Sequence, residues 1–409
     1  MGRIFSLAIT GLLIFLIDLY VFQAIKTATQ NLSPVWQRVI YGGFWAITAI
    51  TIITFVLASL TRGTPPDAFK TYLASTLFII FASKLVLLLF LFVDDAIRLG
   101  KIVINSASNE PTYDPSRSKF LSQLGLVVAA VPFSAFIYGM VKGAYDYRVK
   151  RVTLRFPNLP KAFDGYKMLQ ISDLHTGSFN SSEPLKEAVK LINKQEADLV
   201  FFTGDLVNNM AVELEEHLDT LKEIKAKTAV YSVLGNHDYG DYIQWESPEA
   251  KRQNLQALID SHGKMGWQIL LNENRLIDKD GEKIAVLGVE NWGMRGFAKH
   301  GRLGQAYQGT EQVPFKVLLS HDPSHWDGEI NKSFQDIDLT LSGHTHGMQF
   351  GVNIPGWKWS PIKYVYKQWA GLYQQGKQYL YVNTGLGFLG YPGRFGFWPE
   401  ITVFELKSA

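Results

Sequence analysis

The sequence predicts a helical membrane domain followed by an α/β domain, and three observations carry that prediction. Four long stretches in the first 150 residues are almost free of charge. From about Tyr147 onward, short apolar runs alternate with amphipathic segments. The far ends of those runs repeatedly carry histidine, aspartate or asparagine next to glycine.

Residues 4–22 contain only Asp18 as a charge, 39–60 contain none, 71–93 only Lys84, and 121–141 none. Each is close to the roughly 20 apolar residues that cross a bilayer as a helix. No polar stripe interrupts the second and fourth, as a buried helix of a water-soluble domain would require. A cleaved signal peptide accounts for one such stretch, not four. The boundary is expected near 146, giving a membrane domain over 1–146 and an α/β domain over 147–409. Asp18 and Lys84 fall at similar depths of two helices running in the same direction. Unpaired charges there are costly, so the two are expected to pair.

In the second domain the runs 168–172, 199–203, 230–234, 284–289, 315–320, 337–341 and 379–382 read as buried strands. Residues 182–194 read as a helix, opening on Ser, Glu and Pro and presenting Leu185, Val189 and Ile192 on one face. Residues 212–224 show the same period with Leu214, Leu218 and Leu221. "DKDGEK" at 278–283 is a hairpin turn signal.

Composition narrows the chemistry. The formal net charge of +3 provides no large basic surface for nucleic acid. The chain has no cysteine, so disulfides and thiolate ligands are excluded. The segments just past the strands are more specific. "DLHTG" supplies Asp173 and His175, "GDLVNN" supplies Asp205 and Asn208, and "GNHD" supplies Asn236, His237 and Asp238. "SHDP" supplies His321, and "SGHTHG" supplies His344 and His346. In α/β sheets ligands sit beyond the carboxyl ends of strands, where these residues lie. Carboxylate, imidazole and amide groups suit Mn, Fe or Zn better than Ca or Mg. The set fits two divalent ions, which in such sites lie roughly 3.5–4 Å apart and clamp a phosphoryl group.

The ordered set D-x-H, G-D-x-x-N, G-N-H-D, H and G-H-x-H resembles the calcineurin-like metallophosphoesterase superfamily over about 150–409. The resemblance implies a β-sandwich flanked by helices. It implies one metal on Asp173, His175 and His346, a second on Asn236, His321 and His344, and Asp205 bridging them. His237 then ligates no metal but stabilises charge or, as a general acid, protonates the leaving oxygen. Many relatives carry G-D-x-x-D-R where this chain has Asn208 and Asn209. The missing arginine weakens a protein-phosphatase reading and favours esterified or bridging phosphate. Asn208 and Arg394 remain candidates for substrate contact, although Arg394, in "PGRFG", reads equally as a structural turn. Of the remaining histidines, His217, His262, His300 and His325 are expected on the surface or in loops.

Within the superfamily, "HTHGMQF", "VNTGLGFLGYPGRFGFWPEI" and "LPKAFDGYKMLQISDLH" are similar to membrane-associated bacterial phosphoesterases, some of which cleave UDP-2,3-diacylglucosamine. The implied partners are a phosphorylated small-molecule or lipid-linked substrate and membrane lipid. Residues 355–373 carry Trp357, Trp359, Tyr364, Tyr366, Trp369 and Tyr373 among Lys358, Lys363 and Lys367. They read equally as a lipid-interface element and as a packed loop. Arg3, Arg62, Lys70, Lys142, Arg148, Lys150 and Arg151 flank the spans on the catalytic side, against Lys26, Arg38, Arg98, Lys101, Arg117 and Lys119 opposite. That difference sets no orientation. "SRSKFLS" before the fourth span resembles a twin-arginine export signal with Ser118 in place of the second arginine. It favours an extracytoplasmic catalytic domain on a bacterial cell membrane. The alternative to an enzyme is a catalytically silent metal-binding scaffold on the same fold.

Overall fold

The structure, a computed structural model, describes residues 2–60, 68–104, 115–294 and 296–409. Arg62, among the flanking cations, lies outside the described residues. The chain divides into two compact units, Met1–Tyr138 and Gly139–Ala409.

The first unit consists of α1 (Gly2–Thr29), α2 (Pro34–Leu60), α3 (Ala68–Ile104) and α4 (Pro115–Val141). All four are long and apolar enough to cross a membrane. Large apolar side chains such as Leu12, Leu89 and Val127 stand more than half exposed on their outer faces. In water that would be a liability, but in hydrocarbon it is the expected surface. The expected pair is present: Lys84 Nζ lies 2.8 Å from Asp18 Oδ2, with the aspartate fully buried. A third helix joins it, because Thr48 on α2 donates to the same carboxylate oxygen. The Lys84 ammonium also lies 4.7 Å from the centre of the Phe44 ring. Breaking a buried pair by removing one partner costs about 3–5 kcal/mol. Accordingly, Asp18→Leu and Lys84→Leu each lower the yield of folded protein, and exchanging the two residues restores much of it. Size-exclusion recovery of detergent-extracted protein reads this out, and equal recovery of all variants would contradict a locking role.

The second unit is a two-sheet sandwich. Its elements are β1 (Arg148–Phe156), β2 (Lys167–Ile171), α5 (Glu183–Asn193), β3 (Leu199–Phe202), α6 (Leu218–Leu221), β4 (Ala229–Ser232), α7 (Pro248–Lys264), β5 (Gln268–Ile269), β6 (Glu273–Lys279), β7 (Glu282–Gly288), β8 (Lys316–Leu319), β9 (Leu339–Ser342), β10 (Val352–Ile354), β11 (Trp357–Trp359), β12 (Gly371–Gln375), β13 (Gln378–Val382) and β14 (Glu400–Ser408). One sheet has the order β1-β14-β2-β3-β4-β5, the other β12-β13-β9-β8-β7-β6, and β10-β11 form a separate hairpin. Strands β2 to β5 run parallel, as do β13, β9, β8 and β7.

Both faces of the central strands are buried, which is why they read as continuous apolar runs. Leu199 and Phe201 of β3 face the other sheet, meeting Val317, Leu319, Leu339 and Leu341. Val200 and Phe202 point the opposite way, into a core with Leu185, Val189 and Ile192 of α5. On the far side Leu287, Leu318 and Leu380 pack on Trp326 and Ile330. Helix α5 and the helical segment Trp326–Ile330 therefore cover the two outer faces, as expected.

One element differs from the sequence reading. Residues 212–224 do not form one helix but a 3-10 turn, Ala211–Leu214, and the short α6. Glu213 turns back to accept from the backbone N–H groups of Asn208, Asn209 and Met210. His217 Nδ1 pairs with Ser182 Oγ at 2.8 Å. Both contacts hold the segment in turns that a continuous helix would break.

Candidate metal centre

Strands β2, β3 and β4 of one sheet and β8 and β9 of the other release their chains at one edge of the sandwich, and the releases after β2, β3 and β9 are sharp turns. Asp173, His175, Asp205, His344 and His346 all sit in the left-handed region, at φ of 49°, 51°, 60°, 72° and 51°. Non-glycine residues pay of order 1–3 kcal/mol there and remain only when the surroundings fix them. The surroundings do so here. Asp173 N donates to Gly204 O (2.9 Å), His175 N to Asp205 O (3.1 Å) and Gly343 N to His321 O (2.9 Å). The His344 N–H bonds the Asp173 carboxylate at 2.9 Å. Gly204, at φ 93°, allows this closeness, because a Cβ there would lie 2.6 Å from Gly235 N.

The turns assemble two donor groups. Ligand atoms of Asp173, His175 and His346 lie within 4.8 Å of one another, as do those of Asp205, His321 and His344. His175 Nε2 is 3.1 Å from His346 Nε2, and His346 Nε2 is 3.3 Å from Asp173 Oδ1. Asp205 touches both groups, with Oδ2 3.5 Å from His175 Nε2 and 3.1 Å from His321 Nε2. Asn236 stands beside the second group, its Oδ1 2.8 Å from His344 Nδ1.

The electrostatics match a cation-binding site. Burial pushes His175 down to about 3 and lowers His344 and His346 as well. These imidazoles are therefore neutral at pH 7, with a lone pair to offer. Burial, reinforced by Asp205, pushes Asp173 up to about 7. Burial also opposes charge on His321 and Asp205, but each stabilises the other enough to win. His321 is pushed up to about 10, and Asp205 falls well below the usual carboxylate range. His321 Nε2, although near Asp205, is out of line for a hydrogen bond, and it and the buried Asp322 Oδ2 have no hydrogen-bond partner among the described residues. A buried donor set of this kind, all nitrogen and oxygen, fits a divalent transition ion, whose binding would displace the His321 proton.

His237 lies apart from the two groups but is tied to them. Its backbone N–H donates to Asp205 Oδ1 (2.9 Å), and its Nδ1 pairs with the backbone carbonyl of Asn208 (2.8 Å). The orienting acceptor is therefore a main-chain oxygen. The Asn208 side chain instead meets Ser178, at 3.1 Å. Asp238 is fully buried and accepts from the N–H groups of Asp205, Leu206, Val207 and Gly235, so it supports the loops rather than facing the cleft.

Arg394 is a correction. It is fully buried and cannot meet substrate. Its Nε and Nη2 donate to Gly387 O, Nη1 to Phe397 O (3.2 Å), and Nη2 lies 3.1 Å from His346 Nδ1. It braces the strand end behind His346. Two of the other histidines differ from expectation, since His262 and His325 are buried within helical segments, whereas His217 is buried but lies in a turn. His262 pairs with Ser232, and His325 lies between Ser320 and Glu329 and stacks on Trp292. Both nitrogens of His325 find partners, whereas His262 is satisfied, among the described residues, at Nδ1 alone.

The sequence reading missed Tyr242, Tyr366, Asp322 and Glu213. Tyr366 OH is 2.7 Å from His344 Nε2, and Tyr242 OH accepts from Asn236 Nδ2 at 2.7 Å. Asp322 Oδ2 is 3.7 Å from His344 Nε2. Asp322 adjoins His321 in "SHDP", a signal within reach of the sequence, whereas the tyrosines arrive from loops without any. Glu213 holds the three N–H groups of the loop that carries the Asn208 carbonyl. Glu213→Ala is therefore expected to lower kcat about 10-fold or more with metal content intact, because His237 loses a fixed acceptor. Steady-state kinetics with metal analysis checks this, and Glu213→Gln, which keeps one acceptor oxygen, should recover part of the loss.

Comparison with known proteins points the same way. Residues 166–348 match the family described as calcineurin-like phosphoesterase. Residues 2–144 match a domain described as probable calcineurin-like phosphoesterase, transmembrane domain. An uncharacterized metallophosphoesterase of Bacillus subtilis (strain 168), YkuE, is 30% identical over 72% of this chain and 98% of its own length. A transmembrane protein with metallophosphoesterase domain from Danio rerio is 30% identical over 79% of this chain and 71% of its own. The phosphodiesterase YaeI of Escherichia coli (strain K12) is 25% identical over 71% of this chain and 99% of its own.

Proposed function

We propose that this chain, which belongs to the calcineurin-like phosphoesterase family, is a two-metal hydrolase of phosphodiester or pyrophosphate bonds in lipid-linked or envelope substrates. The coarser statement, a membrane-associated metallophosphoesterase, follows from the family and the four apolar helices. The observation that carries the finer one is the position of Asp205, whose carboxylate reaches the imidazoles of both donor groups.

On this reading Asp173, His175 and His346 would hold one ion, Asn236, His321 and His344 the other, and Asp205 would serve both. When bound, two ions (Mn, Fe or Zn) would make a water acidic and neutralise charge on the phosphoryl oxygens. The protein's part is orientation and proton transfer. With Nδ1 of His237 engaged by the Asn208 carbonyl, Nε2 is the atom that delivers a proton to the leaving oxygen. A cleft of about 200 Å³, lined by Asn236, Tyr239, Tyr242, Asn291 and Phe297 among others, provides room for the group beyond the scissile bond.

Two features favour an esterified or bridging phosphate. Asn209 stands where many relatives place a phosphate-gripping arginine, and Arg394 is buried behind His346. A dianionic monoester would find fewer cations to hold it. UDP-2,3-diacylglucosamine exemplifies the substrate class, and an extracytoplasmic face of a bacterial cell membrane is the proposed location. Labelling of Lys190→Cys by an impermeant maleimide in intact cells reads the side, because the chain has no other cysteine.

The test is purification with Mn, metal analysis, and assays on a soluble chromogenic diester, a monoester and a lipid-linked pyrophosphate. Two metals per chain with diester or pyrophosphate hydrolysis is the expected result. Full occupancy without turnover of any of them would replace the enzyme with a metal-binding scaffold.

A further inference from the structure

The last turn of α4, from Gly139, belongs to the second unit, and it packs on the loop between β13 and β14. Arg394 N donates to Gly139 O at 3.1 Å. Gly143, just past the helix, approaches so closely that a Cβ would overlap Arg394 O. The next residue of the loop, Phe395, bonds in another direction. Its N–H donates to Gln349 O (2.8 Å), and its carbonyl accepts from Gly351 N (3.0 Å). Gln349 and Gly351 are the root of the β10-β11 hairpin. Two adjacent residues thus connect the point where the chain leaves α4 with the base of that hairpin.

The hairpin and the turn after it are apolar and exposed. Ile354 is 55% exposed, Trp357 53% and Tyr364 73%. A two-stranded hairpin with such a surface gains little in water. The charge pattern is one-sided as well: no acidic residue lies between Asp338 and Glu400, and Lys358, Lys363 and Lys367 are exposed in this segment. The Lys358 ammonium bonds the Ala370 carbonyl and that of Lys367 pairs with Asp327 at 3.2 Å, while Lys363 lies over the Tyr364 ring, 5.3 Å from its centre. Trp and Tyr among lysines is the composition of a membrane–water interface.

The same segment is stapled to the metal centre. Ser360 Oγ donates to Gly347 O (2.8 Å), Thr345 Oγ1 to Trp369 O (2.6 Å), and Tyr366 OH meets His344 Nε2. We propose that the β10-β11 hairpin with the turn at Pro361–Tyr364 docks into an anionic phospholipid surface, presenting the metal centre to phosphoesters resident in that membrane. The exit of α4 beside Arg394 argues for a bilayer as occupant rather than a protein, and the lysines argue for anionic lipid. The substrate assignment rests on the phosphoesterase reading, whereas the docking does not.

The full chain, natively free of cysteine, is labelled at Ile354→Cys with an environment-sensitive fluorophore and placed in nanodiscs. These contain phosphatidylcholine with or without phosphatidylglycerol, and a shallow nitroxide lipid as quencher. Burial about 5–10 Å deep predicts quenching on the order of twofold, stronger with phosphatidylglycerol, and none at Lys190→Cys on α5. Labelling at Tyr364→Cys repeats the measurement from a second position. Quenching at neither position, or equally at Lys190→Cys, overturns the docking. Hydrolysis of a soluble diester by the same preparations reports separately on the phosphoesterase reading.

Discussion

Asp205→Asn lowers hydrolysis by about 10³-fold or more and leaves the purified protein short of metal. The carboxylate reaches both donor sets: Oδ2 faces His175 and His321, while Oδ1 accepts the His237 N–H. An asparagine keeps the shape but brings no negative charge, and metal ions supply several kcal/mol of charge stabilisation in such sites, or about a thousandfold in rate. Folding should respond differently. Without metal, Asp205 is one of three buried carboxylates in close quarters with Asp173 and Asp238, so removing its charge relieves repulsion while it also costs the attraction of His321. The metal-free variant is therefore expected to melt within a few degrees of the parent. Adding Mn should raise the melting temperature of the parent far more than that of the variant. Thermal melts in chelator and in Mn, with metal analysis, check this. Equal stabilisation of both proteins by Mn would mean that Asp205 is not a ligand.

How much of this was legible in the sequence depends on how locally each feature is written. Strands β2, β3, β4, β8 and β9 show as unbroken apolar runs because both their faces are buried, and the candidate metal-binding residues come within a few residues of the strand ends. Strand β1, "RVKRVTLRF", gives no such run: Arg148, Lys150, Arg151 and Arg155 break up its apolar residues, and it pairs in parallel with β14 from the other end of the chain. Helix α7 was missed for a related reason, since "PEAKRQNLQALIDSHGK" is largely polar and fully buries few side chains, among them Leu258 and His262. At the site, the imidazoles and carboxylates were legible because their spacing is itself the motif. Glu213 and Tyr366 were not, because each acts through a contact made only when distant turns meet. Arg394 shows the opposite failure. An arginine between glycine and phenylalanine suggests a hand for phosphate, and only packing shows that its donors are spent on carbonyls and on His346.

His237→Gln is expected to separate chemistry from metal binding. The imidazole is held by its backbone bond to Asp205, by the Asn208 carbonyl at Nδ1, and by the Tyr242 ring, whose centre is 4.4 Å away. None of these contacts makes it a ligand, so the variant should retain its metal. General acid catalysis contributes about 10²–10⁴-fold where the departing oxygen needs a proton. The loss should therefore be of that size for an alkyl diester or a sugar-linked pyrophosphate and far smaller for a nitrophenyl diester, whose phenolate leaves without protonation. Rates on a series of leaving groups, compared between parent and variant, give the slope directly. A steeper dependence on leaving-group basicity in the variant is the signature of a lost acid. Parallel slopes together with reduced metal content would instead mean that His237 serves to hold Asp205 in place, and that the proton comes from elsewhere in the cleft.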